Sequence, residues 1–581
     1  MKTCKNLLTN IFPYVLLLMM TAIALYLTRP VSLQIRWNDE TLYYTVAQNI
    51  VRHFDFNSHH YLASSIIEKG YPTKDTHLPG YPLILAVGFL IGGINERTPF
   101  FVNYLLLMIT MFLIFIVGKN IFNQWVGFGA ALIYLIYPYT LVLTHSVMTE
   151  ISAAAIVMVA VVLLFLQKEG WLKGIFLSLV IALAYLIKPF LLTLLPASIA
   201  VLWISKNQDY KQTLLSLLFS LTLLSITVLI PLSQNQEIYP YAATRILSQS
   251  SLTNMFRMMG ENFLFNCSLI INFKQFPVYT TITLSMLLLW GISLAVFTPT
   301  IERNKFTEKF RYKASPFMEK KAVVSAVADM KSGASRRVGW RRNLAISNQA
   351  REEKKSFDPI LLFIRRGNSK FLILNSKFLK YFQAYKNLCI FSLISFMPAL
   401  LAVFLLYQYI DMGIRGLAVF SPLMAILSVA SLWLLTSQLP TKKILAIGLG
   451  IVVCLSYSNF VTFHKLKNLQ RRQSERLYTY SSRVQKVISK LQIKPQVVIS
   501  EKNFYLAIAN YPTQVIWQLP QTLQELREVE KKVRIELIEL KDSDPIFQEN
   551  LQVYNNVNLL DNRYILQYQY QNFYYYLRLS Q

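Results

Sequence analysis

Long apolar runs separated by short polar or basic connections occupy most of residues 1–462, and the pattern changes beyond them. The first run, Ile11 to Thr28, follows the basic residues Lys2 and Lys5 and is long enough to cross a ~30 Å hydrocarbon core at 1.5 Å per residue. No small-residue cleavage site follows it, because the chain continues Arg29-Pro30. A retained signal anchor with a cytoplasmic N-terminus is therefore expected. Further spans are predicted at 100–118, 126–143, 151–166, 174–187, 189–204, 213–231, 280–298, 388–407, 417–437 and 444–462, about eleven in all. The apolar stretch Leu83 to Ile91 is too short to cross before Gly92-Gly93, so it predicts a re-entrant or interfacial helix entered through Pro79-Gly80-Tyr81-Pro82. From Asn38 or Asp39 onward, Tyr43, Tyr44, Ala47 and Ile50 fit an amphipathic helix capped at its start and lying along the interface.

Beyond 463 the periodicity changes. Val497 to Ile499 and Val515 to Trp517 read as short buried strands, Leu523 to Lys532 as an amphipathic helix, and Val533 to Leu540 as another strand. Tyr564 to Tyr570 and Phe573 to Leu579 flank Gln571-Asn572 and read as a hairpin. The predicted class is mainly α: a polytopic helical membrane protein of about 11 transmembrane helices over 1–462, with interfacial helices in the first external loop. A small external α/β domain follows over 463–581.

Charge sharpens the topology. The 581 residues carry 58 Lys+Arg against 30 Asp+Glu, a formal +28, yet only 15% of residues are charged and 54% are apolar. A water-soluble enzyme carries about a quarter charged residues, so that class is excluded. Lys119, Lys168, Lys173, Lys206, Lys211, Lys442 and Lys443 fall on the side of Lys2 and Lys5, whereas the bases of loop 30–99 are balanced by acids. This is the positive-inside pattern. The segment 301–386 holds 21 Lys+Arg and 7 Asp+Glu, half of the whole excess, and falls on the cytoplasmic side. Attraction to anionic headgroups, worth ~1 kcal/mol per basic residue, explains it as a membrane-hugging insertion, and nucleic acid is not an expected partner. Cys4, Cys267, Cys389 and Cys454 have no metal-ligand or disulfide spacing, and neither a metal nor a cofactor is expected.

The spans themselves are almost free of ionisable groups, and the acids gather at external helix ends. That points to a site at the membrane surface and away from a channel or pump. Candidates are the adjacent pair Asp39-Glu40, set ~100° apart on a helix so that only one faces a given point, and Glu150 at the external mouth of a span. Solvated, helix-capping acids are the competing reading for all three.

In combination, these elements resemble the GT-C superfamily of membrane glycosyltransferases, in particular the group of bacterial protein O-mannosyltransferases and the lipid A aminoarabinose transferase. The resemblance rests on Asp39-Glu40 with Tyr43, Tyr44 and Ala47; Pro79 to Pro82; Gly118 to Asn123; Ala130 to Tyr139; Glu150; Lys188-Pro189; Arg415 to Pro422; and Ile516 to Pro520. It covers 30–205 best and has no counterpart for 301–386. It implies an inverting glycosyltransferase that takes a sugar from a polyprenyl-phosphate donor on the exterior of a bacterial inner membrane and passes it to a lipid, glycan or protein. By resemblance Asp39 is the general base, Glu40 and Glu150 are further catalytic carboxylates, and Lys188, Arg415, His77 and Tyr81 bind substrate. Some relatives have Lys where His77 precedes Leu78-Pro79, which weakens a phosphate contact there. The alternatives are a flippase of lipid-linked glycans that performs no chemistry, and a binding protein acting only through 463–581.

Overall fold

A computed structural model describes residues 13–26, 38–57, 60–61, 66–67, 78–205, 209–226, 251–261, 381–398 and 418–438, apart from isolated positions. In the C-terminal segment it describes 482–500, 513–516, 520–541 and 551–579 on the same terms. The helices are α1 (Pro13–Ile23), α2 (Asn38–His53), α3 (Gly80–Gly92), α4 (Thr98–Ile121), α5 (Gln124–Ile136), α6 (Pro138–Thr144), α7 (Glu150–Leu166) and α8 (Trp171–Ile187). A 3-10 turn at Pro189–Thr193 leads into α9 (Leu194–Ser205), and α10 (Tyr210–Leu224) and α11 (Ser421–Gln438) are further apolar helices.

Among the described residues α4 is long and apolar enough to cross a membrane, whereas the other apolar helices are shorter. Two predicted spans need correction. The run 126–143 is two helices, α5 and α6, because Pro138 cannot continue the ladder of α5 and Tyr137 turns extended before it. The run 189–204 opens as a 3-10 turn for the same reason at Pro189. Predicted spans 280–298 and 444–462 lie outside the described residues, as does nearly all of 301–386. The predicted spans 100–118, 151–166, 174–187 and 417–437 agree with α4, α7, α8 and α11 to within a few residues, while the ends of 213–231 and 388–407 lie outside the described residues.

Helices α4 and α5 pack backbone to backbone: a Cβ on Gly118 would lie 2.5 Å from Gly127 Cα. Small residues permit this approach, the usual device where helices cannot rely on hydrophobic expulsion from water. At the far end of α7, the buried Lys173 amine donates to the Leu164 and Gln167 carbonyls at 2.6 and 3.3 Å and pairs with Glu169 at 3.0 Å. A cation thereby satisfies the carbonyls that a helix C-terminus leaves open.

The C-terminal segment forms most of an eight-stranded mixed sheet. In chain order its strands are β1 (His60–Tyr61), β2 (Val497–Ile499), β3 (Gln514–Ile516), β4 (Leu537–Lys541), β5 (Leu551–Tyr554), β6 (Val557–Leu560), β7 (Tyr564–Tyr570) and β8 (Phe573–Arg578). Their spatial order is β1-β3-β2-β4-β8-β7-β6-β5. Strands β1 to β4 are parallel neighbours, and β4 joins the antiparallel meander β5 to β8. Strands β2, β3 and β4 are buried on both faces along most of their length, which is why they read as apolar runs. Ile499, Ile516, Ile538 and Leu540 meet Leu526 and Val529 of α12 (Leu523–Glu530), while Val498, Val515 and Leu537 meet Val484 and Val487. Thr522 caps α12 by accepting the Glu525 N–H at 3.2 Å, as a Thr-x-x-Glu start requires.

One edge of the sheet comes from elsewhere in the chain. β1 lies in the loop after α2 and pairs in parallel with β3, His60 opposite Val515 and Tyr61 opposite Ile516. A few residues on, Ile66 is fully buried in the sheet's core, and Lys532 Nζ donates to the Ile67 carbonyl at 2.5 Å.

The buried carboxyl of Glu539 on β4 accepts from the Ser500 hydroxyl and, at 3.0 Å, from the Tyr575 hydroxyl. Burial outweighs these hydrogen bonds and pushes its pKa from 4.5 up to about 7. Between those values the folded chain holds a proton that the unfolded chain has lost, so stability falls as pH rises through that window. The total is roughly 3 kcal/mol, present in full below the window and lost above it. Near-UV circular dichroism melts of the full chain in detergent at pH 5 and pH 8 measure this, and Glu539→Gln should remove most of the difference.

Candidate active site

The two acids of Asp39-Glu40 occupy the first turn of α2, where the helix dipole favours negative charge. Helix α2 starts at Asn38, one of the two positions expected for its start. It presents no exposed polar face there: every residue from Tyr43 to Ile50 is buried. One side, Tyr43, Tyr44, Val46, Ala47 and Ile50, packs with Tyr81, Leu85, Ala86 and Phe89 of α3. Tyr43 meets Tyr81 edge-on with ring centroids 5.4 Å apart. The other buried positions are polar: Glu40, Thr41, Thr45, Gln48 and Asn49. Asp39 is half-buried and Glu40 is fully enclosed, so the ~100° between neighbouring side chains separates them as the sequence implied.

Glu40 reaches across to the chain segment that precedes α7. Its Oε2 accepts the Val147 N–H at 2.7 Å, which overturns the reading of Glu40 as a solvated acid. Three residues on, Glu150 opens α7 with 2% of its side chain exposed, and its Oε1 pairs with Lys188 Nζ at 2.9 Å. The remaining oxygen, Glu150 Oε2, is buried with no hydrogen-bond partner among the described residues. An unpaired buried acceptor costs about 1–3 kcal/mol, and a ligand hydroxyl can supply the missing donor. Lys188 follows the last turn of α8, is 17% exposed, and lies 5.5 Å from the Phe190 ring centroid. One of its three N–H donors serves Glu150, leaving two for an anion.

Gly80 sets the distance between these parts. A Cβ there would lie 2.5 Å from the Leu186 carbonyl carbon and 2.7 Å from the Ile187 nitrogen, so the start of α3 rests on the backbone immediately before Lys188. The tight Pro-Gly-Tyr-Pro turn thus has a packing cause. It delivers Tyr81, fully buried, to a point where its hydroxyl donates to Asn103 Oδ1 at 3.1 Å. The charges of both Glu40 and Glu150 act on that hydroxyl.

The structure therefore brings Asp39, Glu40, Tyr81, Glu150 and Lys188 to one end of the helices, while His77 and Arg415 lie outside the described residues. Sequence reasoning missed Asn103 and the Ser146-Val147 backbone. Asn103 carried a readable signal, an isolated amide within the apolar run of α4, of the kind that marks a polar contact between helices. The backbone contacts carried none. Among the described residues no three His, Cys, Asp or Glu side chains converge as a metal-ligand set.

The stretch of residues 76–232 matches the family described as dolichyl-phosphate-mannose-protein mannosyltransferase. It holds Tyr81, Glu150 and Lys188, while Asp39-Glu40 precede it. Among solved structures, the chain aligns with ArnT from Cupriavidus metallidurans bound to undecaprenyl phosphate at 10% identity over 98% of both chains, with a TM-score of 0.48. It also aligns with the oligosaccharyltransferase AglB from Archaeoglobus fulgidus in complex with an inhibitory peptide and a dolichol-phosphate. There the identity is 10%, the coverage 92% of this chain and 70% of that one, and the TM-score 0.43. None of the curated proteins compared with the chain matches it.

Proposed function

We propose that the protein is an integral-membrane inverting glycosyltransferase. It moves a sugar from a polyprenyl-phosphate donor to a lipid, glycan or protein hydroxyl on the external face. The observation that carries this reading is the meeting of Glu40, Tyr81 and the Glu150–Lys188 pair at one end of a domain that matches the mannosyltransferase family, with Asp39 on the same helical turn as Glu40.

The chemistry needs three services. Asp39, half-buried at the start of α2, removes the acceptor hydroxyl proton as that oxygen attacks the anomeric carbon. As the new C–O bond forms, the anomeric carbon–phosphate oxygen bond breaks, and the electron pair leaves with the polyprenyl phosphate, inverting the carbon. Lys188 meets the growing charge on that phosphate through its unused donors, with Arg415 and His77 as further proposed phosphate contacts. Glu150 Oε2 accepts a hydroxyl of the sugar or acceptor, and Glu40 holds the backbone before Glu150 in place.

The test is purified protein in liposomes with a labelled polyprenyl-phosphate sugar and membrane extract as acceptor. A labelled product with a new, inverted glycosidic linkage supports the reading. Movement of label between leaflets without a new bond overturns it in favour of a flippase. Lys188→Gln, which keeps a polar group beside Glu150, should raise the donor KM about tenfold, the equivalent of ~1.4 kcal/mol. An unchanged donor KM removes Lys188 from phosphate binding.

A further inference from the structure

Ser146 and Val147, just before Glu150, are each held at the backbone by a different element. Asn103 Nδ2 of α4 donates to the Ser146 carbonyl at 2.6 Å, and the Val147 N–H donates to Glu40 of α2 at 2.7 Å. Tyr81 of α3 donates to Asn103 Oδ1 at 3.1 Å. Asn103 is fully buried and uses both ends of its amide. It is the member of this network that joins α3 to the 146–148 segment from a helix carrying none of the acids.

We propose that Asn103 is a positioning residue for sugar transfer. By clamping Ser146 and Tyr81 it fixes how far Glu150, with its Lys188 partner, stands from Asp39 and Glu40. This rests on the glycosyltransferase reading above, and it adds a residue that touches neither sugar nor phosphate. The chemistry suits an amide alone at neutral pH: one face must accept from a phenol while the other donates to a carbonyl. A carboxylate can only accept, and leucine of similar volume does neither. A protonated carboxyl does both, as the amide does.

Two variants and two readouts test the assignment. Asn103→Leu should lower kcat about 100-fold, the scale of a ~1 Å misplacement of reacting groups, with the donor KM within threefold of wild type. Asn103→Asp, which serves both partners only while its carboxyl carries a proton, should keep more than a third of kcat at pH 6 and lose it as the pH rises. The second readout, amide exchange of the peptide spanning 143–150 by mass spectrometry, does not depend on activity. It should quicken at least tenfold in Asn103→Leu and stay near wild type in Asn103→Asp at pH 6. A kcat for Asn103→Leu within threefold of wild type, equal losses in the two variants at pH 6, or unchanged exchange overturns the proposal. Failure of wild-type protein to transfer any sugar would instead sink the glycosyltransferase reading, and the exchange measurement would still decide whether Asn103 holds the 146–148 segment.

Discussion

Asp39→Asn gives a folded protein that transfers no measurable sugar. The substitution keeps shape, volume and position in the first turn of α2, and Asp39 is half-buried, so little packing changes. What disappears is the one property assigned to it, the ability to take a proton. General-base catalysis typically contributes 10²–10⁴-fold, and a hydroxyl with no base beside it is a poor nucleophile toward an anomeric carbon. Glu40→Gln is the informative companion. Its amide oxygen can still accept the Val147 N–H, so the 146–148 segment stays in place and the loss should be about tenfold or less. Initial rates with labelled donor, at saturating and subsaturating concentrations, separate the two. Full activity in Asp39→Asn removes it from the mechanism, and a larger loss in Glu40→Gln would exchange the two roles.

Gly80→Val abolishes activity by a different route. Any Cβ at that position runs into the Leu186 carbonyl and the Ile187 nitrogen, and backbone within a packed helix end cannot step aside as a side chain can. Helix α3 must withdraw from α8. That separates Tyr81 from Asn103 and disturbs the residue that follows Ile187, which is Lys188 itself. Overpacking of this kind costs about 1–3 kcal/mol in stability, but the displacement falls on the site, so the rate suffers more than the melting temperature. Gly88→Ala on the same helix is the control. There the obstruction is a methyl of the Val102 side chain, which can rotate, so activity close to wild type is expected. Equal losses in both variants would mean that α3 tolerates no side chain at either position, and the special role of Gly80 would fall.

The parts legible in the sequence were those whose signal is local. Apolar runs located α4, α7, α8 and α10, and the short run after Pro79-Gly80-Tyr81-Pro82 located α3. Two aromatic-rich segments around Gln571-Asn572 gave the β7–β8 hairpin, and Thr522 to Glu525 marked the start of α12. The break at Pro138 was also written in the chain, yet hydropathy averaged over a window runs across it. Less legible was anything set by contact between distant segments. The sequence pairs Asp39 with Glu40, but only packing shows that Glu40 turns inward to a backbone N–H more than a hundred residues away. For Glu150 and Lys188 the sequence supplied two charges at helix ends, and only the antiparallel packing of α7 and α8 makes them partners. The polar burial of α2 was hidden because its composition suits an exposed helix, and burial there follows from what surrounds it.

The short strand β1 settles a question of compartments. Hydrogen bonds between His60-Tyr61 and Val515-Ile516 cannot be drawn through a bilayer, so the loop after α2 and the sheet of 497–578 face the same aqueous phase. The chain must then traverse the membrane an even number of times between Tyr61 and Val497, whatever the fate of each individual hydrophobic run. Ten runs were counted in that interval from the sequence, and that parity holds only if none is lost or gained singly. The same strand makes the C-terminal segment structurally incomplete by itself. A fragment beginning near Ser474 would leave the outer edge of β3 bare and the place of Ile66 in its core vacant, an exposed template for pairing with other chains.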